Sequence, residues 1–266
     1  MKVKGIFSVL VILLLTTLSY SQNQKEYNIL DENGKKQGYW EKKYENGNVK
    51  YAGFFKNDKP IGILKRYDSD GNLKVEMNYI ENSPKVFSKF FYPGLILQAE
   101  GYFINQSKDS IWNYYSIESF LINSVPFENN QKQGIEKKYH ENGKIYEESE
   151  WKNGIKDGLT IHYYENGNVM NRIFYMNGIL DGEYNVYGLD NNILIQGQYE
   201  NNKREGNWIY YKKTGHVDTK IKYTNGVAEN QEKIDELETQ LIDELEKNKG
   251  KIKNPMDEMY NAIPPK

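Results

Sequence analysis

Chemistry in this chain would have to come from three histidines, His140, His162 and His216, or from the glutamates of a recurring Glu-Asn-Gly tripeptide at Glu45, Glu141 and Glu165, since its 266 residues include no cysteine. Imidazole and carboxylate side chains supply acid/base pairs or metal ligands. No two of the histidines have the spacing of a metal pair on one strand, and no serine stands in a G-x-S-x-G context. No G-x-G-x-x-G or Walker loop occurs. An active site is a one-off cluster, whereas a residue that recurs at fixed spacing serves the recurrence. The repeated glutamates therefore read as solvated turn residues. The expectation is a non-enzyme with no catalytic, cofactor-binding or metal-ligating residues.

What positions every residue here is a 24-residue clock. Aromatic residues fall at Phe55, Tyr79, Phe103, Phe127, Trp151, Tyr175, Tyr199 and Tyr223 without insertion or slip. Asparagine follows two places later at Asn57, Asn105, Asn129, Asn153, Asn177, Asn201 and Asn225, with Glu81 the one departure. A glycine column holds Gly38, Gly62, Gly134, Gly158, Gly182 and Gly206, replaced by Val86 and Ser110 in the middle. A second aromatic column, twelve residues on from the first, runs from Tyr67 and Phe91 to Tyr211. A fixed period of this length marks a repeat architecture.

Each unit reads as a β-hairpin. Asn-Gly pairs are the strongest short-range hairpin signal, because a type I′ turn needs positive φ at both central residues. Two such turns are expected per unit, one at the asparagine column and one at Asn46-Gly47, Asp70-Gly71, Asn142-Gly143 and Asn166-Gly167. Strands of about nine to eleven residues, rich in Tyr, Ile, Val and Trp, would lie between them. The fold class is all-β: an elongated antiparallel meander of about eight hairpin repeats, or about sixteen strands, on the order of 75 Å long at roughly 4.8 Å per strand. A lone hairpin is marginal in water, so the units must stack on their neighbours.

The pattern weakens between residues 83 and 126. Turn glycines are lost and the strands become richer in apolar residues, as in VFSKFFYPGLIL and SFLINSVPF. Two readings stand: a local bend in which these residues pack on one another, or a hydrophobic partner site built from Phe87, Phe90, Phe91, Trp112, Phe120 and Leu121, since exposed apolar patches mark contacts.

Stretches such as GIEKKYHENGKIYEESEWKNGIKDG (134–158) and GLTIHYYENGNVMNRIFYMNGILDG (158–182) resemble the bacterial variant of the MORN repeat, as seen in YwqK-family antitoxins. The resemblance covers roughly residues 31–227. It implies a MORN-like β-repeat protein that acts by binding, with neutralisation of a toxin as one use of such a surface.

The ends differ from the middle. Lys2 and Lys4 precede an apolar run from Ile6 to Leu18 and the small residues around Ser21, the pattern of a signal peptide (1–21) cleaved before Gln22. Residues 22–30 read as a linker, 31–227 as the repeat domain, 228–250 as an amphipathic capping helix with Ile234, Leu237, Leu241 and Leu245 on one stripe, and 251–266 as a flexible tail. Thirty-five basic against thirty-seven acidic residues leave no excess that would draw nucleic acid, and no polybasic cluster that would strengthen membrane contact. The reading is an exported module, periplasmic or secreted, that binds a protein partner in the cell envelope, a toxin among the possibilities. The alternative is a glycan or membrane-surface binder in which aromatic rows such as Trp40, Trp112 and Trp208 stack sugars. The oligomeric state is left open.

Overall fold

The computed structural model describes residues 27–230 and, beyond them, only positions 236, 239, 240 and 243. The expected signal segment, the tail and nearly all of the expected capping helix lie outside the described residues.

The described chain is one open antiparallel sheet of nineteen strands. Three are two-residue pieces, Ile29–Leu30, Gln131–Lys132 and Val227–Ala228, which leaves sixteen full strands of six to nine residues. Each full strand pairs with the one before it and the one after, so sequence neighbours are spatial neighbours throughout. The sheet starts inside the segment expected as a linker, where Ile29 and Leu30 pair with Gln37 and Lys36.

The strands are shorter than the nine to eleven residues expected because the two turns of a unit differ. At the asparagine column the turn is type I′, as in Asn153 (φ 51°) and Gly154 (φ 79°). Its second residue is also stapled to the previous unit: the amides of Asp58, Asn130, Gly154, Gly178, Asn202 and Gly226 donate to the carbonyl 22 residues earlier. At the other turn only one residue has positive φ, except in the third hairpin, where Gly94 (φ 80°) and Leu95 (φ 65°) both do. Gly47 (φ 88°) donates its amide to Tyr44 O at 3.0 Å, Tyr44 donates to Asn48 O at 2.8 Å, and the strand register shifts between Lys42 and Lys43. This is a type I turn closed by a left-handed residue, the three-residue loop that carries a bulge, and it consumes more chain than a two-residue turn.

The middle of the sheet shows how turn and column are coupled. Where Glu81 stands in the asparagine column, only Asn82 has positive φ, the amide of Ser83 returns to Ile80 O at 3.1 Å, and the next pair of strands runs without a register shift. With no bulge to serve, the glycine column needs no glycine, and Val86 takes its place at ordinary φ. Ser110, by contrast, keeps the left-handed conformation (φ 60°).

One face of the sheet is packed. Its axis is a single row crossing every strand, in which large residues lie over small ones: Trp112 (1% exposed) over Gly101, Trp208 (1%) over Gly197, and Leu64 over Gly53. The buried indoles satisfy their N–H groups on backbone carbonyls, Trp112 Nε1 donating to Tyr102 O at 2.9 Å and Trp208 Nε1 to Gln198 O at 3.2 Å. The repeating aromatics flank this row, with Phe103 edge-on to Trp112 at 4.8 Å and Tyr199 edge-on to Trp208 at 5.2 Å. The glycine column sits directly across from those aromatics, as in Gly206 opposite Tyr223. Burial thus explains the tryptophan phase, which belongs to the core.

Candidate interaction surface

The packed face has a polar stretch in the fifth and sixth hairpins. At the positions held by Trp40, Leu64, Ser88, Trp112, Tyr184 and Trp208 in other units, Glu136 (2% exposed) and Thr160 (1%) occupy the central row, with Ser149 (1%) between them. Glu136 accepts from Lys132 Nζ at 2.7 Å and Asn123 Nδ2 at 2.9 Å. Glu147 accepts from Lys138 Nζ at 2.8 Å, Ser149 Oγ at 2.6 Å and Lys156 Nζ at 3.2 Å, and His162 Nε2 lies 3.5 Å away. Burial alone would raise the Glu147 pKa, but hydrogen bonds from His162, Lys138 and Ser149 outweigh it and hold the carboxyl well below the usual carboxylate range. Serine and histidine address the same carboxylate here rather than each other, which is the reverse of an activated nucleophile. Thr160 Oγ1 donates to Ser149 Oγ at 3.1 Å, so the cluster is internally tied.

The other histidines have structural positions. His140 (5% exposed) stands in a column that holds tyrosine in three other units, Tyr44, Tyr92 and Tyr164, each of whose hydroxyls donates to the carbonyl 23 residues on, and Asp68, Ser116, Gly188 and Lys212 in the rest. His140 Nε2 approaches Tyr163 O, the equivalent carbonyl, at 3.3 Å. His216 lies next to Thr214 in the exposed turn that precedes the strand Val217–Thr224. Among the described residues no group of three His, Cys, Asp or Glu side chains is arranged to hold a metal.

Also on the packed face, a column of cations lies over the aromatic rings. Lys36 sits 4.9 Å from the Phe55 ring, Lys108 4.7 Å from Trp112, Lys132 4.2 Å from Trp151, Lys156 5.3 Å from Tyr175 and Arg204 4.6 Å from Trp208. Lys108 also donates to Tyr114 Oη at 2.8 Å; its burial lowers the ammonium pKa, and burial pushes the Tyr114 phenol up to about 12, with Glu136 adding to it. The chain's own cations therefore occupy the ring faces that a sugar would stack on.

The opposite face is different in kind. Alternate residues put a second row across the strands there: Tyr39, Phe54, Ile63, Asn78, Phe87, Tyr102, Ile111 and Pro126 over the first eight full strands. Phe54 is 53% exposed, Ile63 49%, Tyr102 37% and Ile111 57%. Tyr39 meets Phe54 edge-on at 5.3 Å and Phe87 meets Tyr102 at 5.0 Å, so the row is apolar on every one of these strands except that of Asn78. It continues through Ile135, Glu150, Leu159 and Phe174 and turns wholly polar at Glu183, Gln198, Asn207 and Lys222. Beside it runs a charged row, Lys65, Glu76, Lys89 and Glu100 on four successive strands.

The six residues expected to form a partner site are divided between these surfaces. Phe87 belongs to the exposed ladder. Phe90 turns to the packed face, 5.9 Å from the Trp112 ring, and Trp112 itself is buried with no surface to offer. Phe91 and Leu121 are half-buried at strand ends opposite Leu97 and Tyr115, and Phe120 (44% exposed) stands in the turn after Ser116. The greasiness of 83–126 is thus shared by core and surface. The sequence did not single out Phe54, Ile63, Tyr102 or Ile111; their signal was two further 24-residue columns, Ile63 and Ile111 one place before the tryptophan phase and Phe54 and Tyr102 one place after Gly53 and Gly101.

Comparison with known proteins agrees with this construction. No curated protein matches the chain. Four segments, residues 36–57, 60–81, 132–153 and 156–177, match the family described as MORN repeat variant. Each matched segment spans two full strands and the bulged three-residue loop between them, so the unit of the family and the unit of the sheet coincide. The chain carries MORN repeat variants at four places in this sheet.

Proposed function

We propose that this chain is an exported, non-enzymatic binding module that holds a protein partner at the cell envelope through the unpacked face of its sheet. The observation that carries the reading is the exposed apolar ladder through Phe54, Ile63, Tyr102 and Ile111, which the chain leaves in water while it buries the other face. The MORN repeat variants support a binding role, since repeats of this kind present extended surfaces. Export rests on the basic and apolar pattern of the first 21 residues. Neutralisation of a toxic partner is one use that the resemblance to YwqK-family antitoxins offers for such a surface. Glycan stacking is the weaker reading, because Lys108, Lys132 and Arg204 already cover the rings that would serve it.

The test is affinity recovery of the tagged chain from envelope extract of its own host, followed by mass spectrometry. One protein recovered in stoichiometric amount by the wild type, and lost with Ile63→Lys/Ile111→Lys, is the expected result. Recovery that is indifferent to this pair of substitutions would remove the outer face from the reading.

A further inference from the structure

The outer face has a symmetry property that a general docking surface does not need. Its charged row reads Glu41, Ala52, Lys65, Glu76, Lys89, Glu100, Asn113 and Ser124 across eight successive full strands, each residue directly opposite the next. The four charges in the middle alternate in sign, and the residues beyond them are neutral except Glu41. Such a row is complementary to itself when reversed. A two-fold axis parallel to the strands, placed between Leu73–Tyr79 and Lys85–Phe91, lays Glu76 over Lys89 of a second copy and Lys65 over Glu100 of the second copy. Ala52 then meets Asn113 and Glu41 meets Ser124, so no like charges face each other.

The same axis treats the apolar row equally well. Ile63 lies over Tyr102 of the second copy, Phe54 over Ile111 and Tyr39 over Pro126; only Phe87 meets a polar residue, Asn78. Eight strands at roughly 4.8 Å give a strip about 40 Å long, and two rows with their flanks make it about 18 Å wide, roughly 700 Å² per copy, close to the ~800 Å² per partner of stable interfaces. Resting on the reading that this face binds protein, we propose that its occupant is a second copy of this chain, packed sheet on sheet about that axis in an isologous dimer. Apolar contacts supply the attraction, and the alternating charges fix the register, because a shift by one strand would set like signs opposite each other.

The experiment uses the protein expressed from its full coding sequence, with molar mass measured by sedimentation equilibrium. Wild type is expected to be a dimer. Lys89→Glu and Glu76→Lys each place two like-charged pairs in the interface and are expected to weaken association at least about tenfold. An equimolar mixture of the two variants restores both pairs as Glu against Lys and is expected to recover the wild-type dimer, whereas a folding defect would not be repaired by mixing. Circular dichroism of each variant alone checks the sheet. A wild type that is monomeric throughout, single variants that dimerise as wild type does, or a mixture no better than its components would overturn the dimer. If wild type is monomeric and Ile63→Lys/Ile111→Lys still abolishes partner recovery from extract, the dimer falls and the outer face stands as a site for a different protein; if that pair has no effect either, both readings fall.

Discussion

The indole of Trp112 lies so close over Gly101 that a Cβ added to the glycine would come within 2.4 Å of the ring. Gly197 holds the same relation to Trp208, again at 2.4 Å. Neither ring can retreat without losing the hydrogen bond from its Nε1 to Tyr102 O or Gln198 O. Gly101→Ala is therefore expected to destabilise the sheet by about 1–3 kcal/mol, the cost of overpacking a filled core, and Gly197→Ala by a similar amount. Urea denaturation followed by tryptophan fluorescence measures both. A Gly101→Ala midpoint equal to that of wild type would show that the row is loosely packed.

Glu147 is the anion that reconciles Lys138, Lys156 and His162 on the packed face. Its folded pKa is depressed, so the stability it contributes is present above the ordinary carboxylate pKa of about 4.3 and is lost as pH falls below it. Glu147→Gln should cost about 2–3 kcal/mol at neutral pH, and the unfolding free energy of the variant should fall less steeply than that of wild type between about pH 5 and pH 3. Parallel acid titrations of the two proteins would settle it, and parallel slopes would refute the assignment.

His140 occupies a position that is tyrosine in three other units, and the carbonyl of Tyr163 is the acceptor that a tyrosine hydroxyl would reach there. His140→Tyr is expected to leave stability unchanged or slightly raised, while His140→Ala should cost about 1–2 kcal/mol through the lost contact and an unsatisfied carbonyl. Thermal melts distinguish these outcomes. A tyrosine variant as damaged as the alanine variant would mean that the imidazole has a role of its own.

At the type I′ turns, Asn153 has φ 51° and its amide donates to Gln133 Oε1 at 2.8 Å. Alanine tolerates that backbone poorly, whereas glycine does not resist it, so Asn153→Ala should cost about 1 kcal/mol and Asn153→Gly only a few tenths. Equal losses in chemical denaturation would place the contribution in the side chain and not in the backbone.

Much of this architecture was legible because the repeat is strict. The aromatic clock at Phe55 to Tyr223 located every hairpin, and sixteen full strands stand where about sixteen were expected. The second turn was misread because Asn-Gly at 46–47 fits two loops: type I′ with both residues left-handed, or type I with only Gly47 left-handed. The dipeptide is the same, and the choice is made by the bulge in the adjoining strands. The partner residues proved hardest to read. Trp112 and Phe87 differ by one place in phase, yet one is core and the other surface, because alternate residues of a strand point to opposite faces. Composition counts both as aromatic; only knowledge of which face is packed separates them. The buried cluster around Glu147 was invisible for the complementary reason, since each of its residues resembles the exposed charges of other units.

The staples between units reach from 22 to 25 residues along the chain, as from Gly154 back to Lys132 O, from Tyr164 forward to Tyr187 O and from Lys56 to Glu81. Length in this molecule is therefore an adjustable quantity. Excising residues 155–178 would join Gly154 to Ile179 as it now joins Ile155, at a seam between identical turns, and would shorten the sheet by two strands, roughly 10 Å. A protein built this way can change the distance between its two ends in whole steps while the local geometry at each remaining turn is retained.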